Sequence, residues 1–239
     1  YILSLGQEAY IPNFFCKAYR PVLYIPSKEE VKELLQKMDI RTSHNSEQFR
    51  LDRECKILFL LYFCCGLRLS EGRLLKWEHI DLDKGILTVL GSKGNKDRLV
   101  YLPQDSLPVL KNYKERQEML FPGIDWAFPG KDPHKPVSCS GVESSFNRHW
   151  AMLPVAKTVD KHPTPHCLRH AFVVERFNEW MHQGIDTNTM LPYLSRYLGH
   201  KSPDETYYYY HLAGKAFDTI REKDSVSGKV IPEVIPYEE

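Results

Sequence analysis

At 239 residues the chain has room for one large domain, or for one domain with an appendage. Its 42% hydrophobic and 26% charged residues are those of a globular protein with a sizeable core, and no apolar run approaches the roughly 20 residues of a membrane span. The net charge of +1 excludes a uniformly basic surface, although a basic cleft offset by an acidic far side stays open. Cysteines 16, 55, 64, 65, 139 and 167 form no CxxC pair, and nothing in the given chain resembles a signal peptide. Reduced thiols in a cytoplasmic protein are therefore expected.

Residues 1–25, broken by Pro12 and Pro21, read as a linker or the remnant of an upstream domain, and the start at Tyr1 suits a piece of a longer protein. A domain is expected over 26–222. Ser27 to Glu30 is a capping box ahead of the helical stripe Val31, Leu34, Leu35. After a polar loop over 41–48, an apolar core helix is predicted from about Leu51 to Cys65, stopped by Gly66. Ser70 is the expected N-cap of a short helix to about Trp77, in which Gly72 costs about 1 kcal/mol against alanine.

Two β-branched runs, 85–90 and 98–102, predict a hairpin joined by the polar loop 91–97. Helices are expected over about 104–119 and 140–152, with a Pro/Gly/Asp-rich segment at 122–136 between them. From Thr164 the pattern is helical, with breaks at Gly184, Gly199 and Pro203, a last short helix at about 213–222, and an extended tail over 223–239 carrying two Val-Ile-Pro units. The sum is an α+β chain, mainly α-helical, with one small antiparallel β-hairpin.

The chemistry gathers in a few places. Arg68, in a turn between two helices and flanked by leucines, needs an anion; its planar fork suits a phosphate, and a salt bridge to Glu71 is the alternative. Lys93 and Lys96 in the hairpin loop, with Arg98 beside them, could reach a nucleic-acid groove or simply be solvated. In a helix, His166, Arg169 and His170 fall at i, i+3 and i+4 on one face. Zinc chelation competes as a reading, but an arginine on that face would repel the cation and no HExxH pattern is present. His200 follows Gly199 at an expected helix end. At 100° per residue the four tyrosines 207–210 cannot share a face, so at least two of them must pack or face solvent.

Taken together, GLRLSE at 66–71, SKGNKDR at 92–98, HCLRH at 166–170, LGH at 198–200 and the Tyr-Tyr-His ending at 211 resemble the tyrosine recombinase (phage integrase) family. The resemblance covers about 26–221 and implies that family's catalytic fold. It also implies roles. Arg68 and Arg169 would clamp the scissile phosphate of double-stranded DNA. Lys93 would protonate the leaving 5′ oxygen, with Lys96 a contender because the loop carries an extra residue. His166 would assist proton transfer from the nucleophile, and His200 would hydrogen-bond the phosphate. Lys96 and Arg98 would contact DNA, Glu71 would steady the site, and His170 would be structural. Spacing from His200 nominates Tyr209 as nucleophile over Tyr208 and Tyr210.

The implied activity is site-specific recombination or integration through a 3′-phosphotyrosyl link, with no metal, cofactor or ATP. The implied assembly is a homo-tetramer on DNA, monomeric when free, with the tail docking on a neighbour. The alternatives are a type IB topoisomerase, a non-catalytic DNA-binding module and a zinc-dependent phosphodiesterase.

Overall fold

The computed structural model describes residues 24–41, 44–92 and 96–209. Helix α1 (Lys28–Lys37) begins at the expected capping box: Glu30 N donates to Ser27 Oγ and Ser27 N to Glu30 Oε2. Helix α2 (Ser46–Cys65) starts earlier than expected because Asn45 caps it, its Oδ1 accepting from the Glu47 and Gln48 amides. The polar residues 46–48 are therefore the exposed first turn of a long helix rather than loop.

Gly66 ends α2 at φ +63°, and a Cβ there would lie 2.6 Å from the Phe172 ring. Both the left-handed backbone and the lack of space demand glycine. The next helix, α3 (Leu69–Arg73), is shorter than predicted and is capped by Arg68, not Ser70. Glu71 fixes its start by accepting the Arg68 N–H at 2.8 Å, and Trp77 falls in a separate 3₁₀ turn, Trp77–His79. Gly72 has a packing reason for its place. A Cβ there would meet Tyr62 at 2.5 Å and Leu58 at 2.8 Å, so its absence lets α3 lie against α2, where Tyr62 Oη donates to Leu69 O.

The hairpin is present, and a short first strand makes it a three-stranded antiparallel sheet in the order β1 (Ile80–Asp81), β2 (Ile86–Ser92), β3 (Lys96–Tyr101). Two residues are too few to register as a strand in the sequence. The pairing Leu87 with Val100 and Val89 with Arg98 puts Leu87, Val89 and Val100 inward, and an irregularity follows between Val89 and Ser92. Helices α4 (Leu107–Leu120) and α5 (Cys139–Trp150) match the predicted ones closely, α4 being preceded by a 3₁₀ turn. Then come α6 (Cys167–His182), α7 (Thr187–Leu198) and α8 (Asp204–Tyr207).

Two apolar clusters form. One joins α1, α2, the sheet, α4, α5 and the start of α6; the other joins the rest of α6 to α7 and Tyr209. Leu168 closes the first and Phe172 opens the second, so Arg169 and His170 stand at the seam. Asp52, buried on α2, ties α5 to this frame through Ser145 at 2.7 Å and Arg148 at 2.6 Å. Among the described residues, no helix is long and apolar enough to cross a membrane. The described cysteines, 55, 64, 65, 139 and 167, are free thiols. The expected linker up to residue 23, the helix at 213–222 and the tail lie outside the described residues, as does Lys93.

Candidate active site

Helix ends build the site. The last carbonyls of a helix have no intrahelical donor and carry its partial negative charge. Here guanidiniums satisfy them. Arg169, 2% exposed, donates from Nη1 to Gly66 O at 2.5 Å and from Nη2 to Leu198 O at 2.9 Å. One side chain thus joins the C-terminal end of α2 to that of α7. Arg68 Nη2 donates to Gly199 O at 2.8 Å, so the second arginine is held by the same helix end.

Glu71 lies between them. Its carboxylate accepts from Arg68 Nη1 at 2.8 Å and from Arg98 Nη1 and Nη2 at 2.8 and 2.7 Å, with Arg169 Nη1 at 3.9 Å. Burial pushes the Glu71 carboxyl up, but hydrogen bonds and charge from Arg98 and Arg68 outweigh this and hold it at about 2. Expected as a steadying acid, Glu71 is the hub of the cationic cluster.

Arg98 lies in the second strand of the hairpin, as predicted, opposite Val89 and on the same inward side. It forks onto Glu71 and donates from Nε to Tyr197 O at 2.8 Å, with its side chain 9% exposed. Arg98 thereby braces the sheet against α3 and α7. Lys96 opens β3.

The three histidines are arranged unequally. His166 is the N-cap of α6 rather than a residue within it, and it stays exposed. Partial desolvation and then the charges of Arg169 and Arg68 lower its pKa. Its ring meets that of His170 edge to face, with centroids 4.6 Å apart. His200 follows Gly199, which ends α7 in the left-handed conformation. Its Nε2 lies 3.1 Å from Arg169 Nη2 and its Nδ1 2.7 Å from Thr206 Oγ1. A guanidinium only donates, so Nε2 must accept; the proton then sits on Nδ1 and points to Thr206. Burial and the charge of Arg169 agree, moving the ring down to about 4 and keeping it neutral.

His170, expected to be structural, has its Nδ1 2.6 Å from the Tyr209 hydroxyl. Tyr209, 6% exposed, packs with Phe172, Val173, Phe177, Leu191, Leu194 and Leu198, and burial pushes its phenol up to about 12. The other described tyrosines of the run are placed differently. Tyr207 is exposed and donates to Asn188 Oδ1 at 2.7 Å, and Tyr208 meets Tyr209 edge to face. Tyr210 lies outside the described residues.

Sequence reading missed Thr206, which is fully buried, carries the His200 proton contact and accepts the Tyr209 amide at 3.0 Å. A threonine before a tyrosine run gives no signal until His200 is seen folding back on it. Among the described residues, no group of three or more His, Cys, Asp or Glu side chains is arranged to hold a metal ion. The arrangement suits an anion that is clamped by guanidiniums beside a buried phenol.

Comparison with known proteins agrees with this fold. Residues 27–215 match the description "Phage integrase family". The chain is 30% identical over 208 residues to the putative integrase/recombinase y4rB of Sinorhizobium fredii, covering 81% of this chain and 62% of that protein. It is 31% identical over 191 residues to the tyrosine recombinase XerA of Pyrococcus furiosus, covering 79% and 57%. The XerH site-specific recombinase, solved bound to palindromic difH substrate in a post-cleavage complex, superposes with a TM-score of 0.66 at 21% identity, covering 91% of this chain and 60% of that one. The chain spans about half to two thirds of the length of the curated relatives it matches.

Proposed function

Because the chain belongs to the phage integrase family, that of the tyrosine recombinases, we propose that it carries the catalytic machinery of a site-specific DNA recombinase or integrase. The observation that supports this most is a single constellation: the Tyr209 phenol buried beside two helix-end arginines and three histidines.

The chemistry follows from those groups. A scissile phosphodiester would sit against Arg68 and Arg169, whose N–H groups take its non-bridging oxygens and supply the charge neutralisation. In the DNA-free arrangement one Arg169 N–H is given to His200 Nε2. Phosphate would take over that N–H, and His200 would then bind the phosphate by moving its proton to Nε2. Tyr209 Oη attacks phosphorus, a phosphotyrosyl bond forms, and the bond to the 5′ oxygen breaks. One phosphoester replaces another, so rejoining needs no ATP. Lys93, with Lys96 as the alternative, is proposed as the acid for the leaving oxygen, and exposed His166 as the family's assistant in proton transfer. Two duplexes held by a homo-tetramer, assembled on DNA from free monomers, complete the reading.

The test is covalent trapping on a nicked suicide DNA substrate that cannot be rejoined. Tyr209→Phe should give no protein–DNA adduct, while Tyr207→Phe and Tyr208→Phe should retain it. Undiminished trapping by Tyr209→Phe would move the nucleophile elsewhere.

A further inference from the structure

We infer that His170, rather than His166, takes the phenol proton when Tyr209 attacks phosphorus. The inference rests on the recombinase reading above and assigns a catalytic role to a residue given none so far.

Four observations carry it. First, the Tyr209 hydroxyl already makes a hydrogen bond of 2.6 Å to His170 Nδ1, at the short end of the range for such a contact. The ring contact of His166, by contrast, is with His170. Second, the direction of the bond is settled by its surroundings. The phenol keeps its proton because it is buried in the second apolar cluster, and the His170 ring is neutral because burial and the neighbouring His166, Arg169 and His200 lower it to about 3. The phenol therefore donates and Nδ1 accepts, with the ring proton on Nε2.

Third, His170 cannot easily swing away. It closes the first turn of α6, directly after Arg169, whose guanidinium is fixed at both helix ends, and its ring is held between His166 and Tyr209, 4.6 and 5.3 Å between centroids. Fourth, burial is the main reason His170 resists a proton, the positive or proton-bearing neighbours add to it, and Arg169 is among those a phosphodiester would neutralise. An anion bound there raises the basicity of His170 at the moment the proton must leave. Before that, the nucleophile stays protonated and inert, so the bound phosphate favours the proton transfer by offsetting the charge of Arg169.

The step balances. The Oη–phosphorus bond forms as the phenol proton moves to Nδ1, giving an imidazolium. The phosphorus–O5′ bond breaks and the 5′ oxygen takes its proton from the general acid. On rejoining, the 5′ hydroxyl attacks, the phenolate leaves, and His170 returns its proton to the phenol.

The experiment measures the single-turnover rate of adduct formation on the suicide substrate across pH, for the wild-type chain, His170→Ala, His170→Asn, His166→Ala and Tyr209→Phe. Loss of a general base lowers such a rate by about 10²-fold or more. His170→Ala should show that loss, with a rate that climbs steadily with pH and is partly restored by added imidazole. His170→Asn places an amide oxygen near the old Nδ1, so it can hold the phenol but cannot take the proton; it should stay slow and climb with pH in the same way. His166→Ala, which removes an assisting group, should be slower than wild type but should keep the wild-type dependence on pH, because the base that takes the phenol proton is still present.

A His170→Asn variant that attacks at the wild-type rate shows that positioning alone is needed, and overturns the inference. So does a slow, pH-independent rate in both His170 variants without imidazole rescue. Should His170→Ala fail to fold, His170→Asn decides by the same criteria. The parent reading stands apart: it fails if the wild-type chain forms no adduct, and Tyr209 loses its role if Tyr209→Phe still forms one, whatever the His170 variants do.

Discussion

Glu71 shows how far one buried carboxylate can organise a site. It receives the Arg68 amide, the Arg68 guanidinium and both terminal nitrogens of Arg98. Removing one partner of such a group leaves the others uncompensated, at a cost of about 3 to 5 kcal/mol. Glu71→Gln should therefore lower unfolding free energy by roughly 3 kcal/mol at neutral pH and slow adduct formation, because Arg68 loses its anchor. Urea unfolding and suicide-substrate trapping check both halves; wild-type values in both would reduce Glu71 to a bystander. Arg169 carries a different load, since its N–H groups satisfy the carbonyls that end α2 and α7. A lysine there keeps the charge but has one nitrogen where two separated donors are required. Arg169→Lys should thus lower both stability and attack rate, the rate falling further because phosphate and helix ends compete for a single ammonium.

Glycines decide how the helices approach. By propensity alone, Gly72→Ala should stabilise α3 by about 1 kcal/mol. The packing predicts the opposite sign. An added methyl would lie 2.5 Å from the Tyr62 ring and 2.8 Å from Leu58, and overpacking of this kind costs about 1 to 3 kcal/mol. Gly72→Ala should be net destabilising, as denaturant midpoints would show; a raised midpoint would mean that α2 yields easily. Gly66→Ala adds backbone strain at φ +63° to the same crowding, against Phe172, and should cost more. It would also displace Gly66 O from Arg169, so its effect on catalysis should exceed that of Gly72→Ala.

Over the whole molecule, the buried histidines make stability depend on pH with a definite sign. His200 and His170 fall to about 4 and about 3 in the folded chain, below the ordinary 6.5. Between pH 6.5 and those values the unfolded chain binds more protons, so stability rises with pH and is lost on acidification. Glu71 adds in the same direction from about 4.5 down to about 2. Glu54, pushed up to about 7 by burial against the pull of Arg50, opposes them between 4.5 and 7. The clean measurement is therefore a difference. His200→Gln should narrow the stability gap between pH 7 and pH 4.5 relative to wild type, and an unchanged gap would remove His200 from the account. Assembly belongs to this scale too. Deleting 223–239 should weaken multimer formation on DNA without abolishing adduct formation, as native gels and trapping would separate.

Much of this protein is local in origin and was legible in its sequence. The capping box at Ser27, the Gly66 stop, the hairpin runs and the described helices between 104 and 207 each depend on residues close together along the chain. Short-range periodicity and capping chemistry report such features directly. Among the described residues, the motifs that resemble the family also marked Arg68, Glu71, His166, Arg169, His200 and Tyr209, which lie together. The tertiary structure decided where their polar groups point. Sheet register turned Arg98 inward to Glu71, α6 and α8 brought His170 to the Tyr209 hydroxyl, and the turn after α7 folded Thr206 onto His200. Each of these contacts depends on the direction of a side chain packed against a separate element, or on a turn folding back, and neither composition nor spacing carries that information.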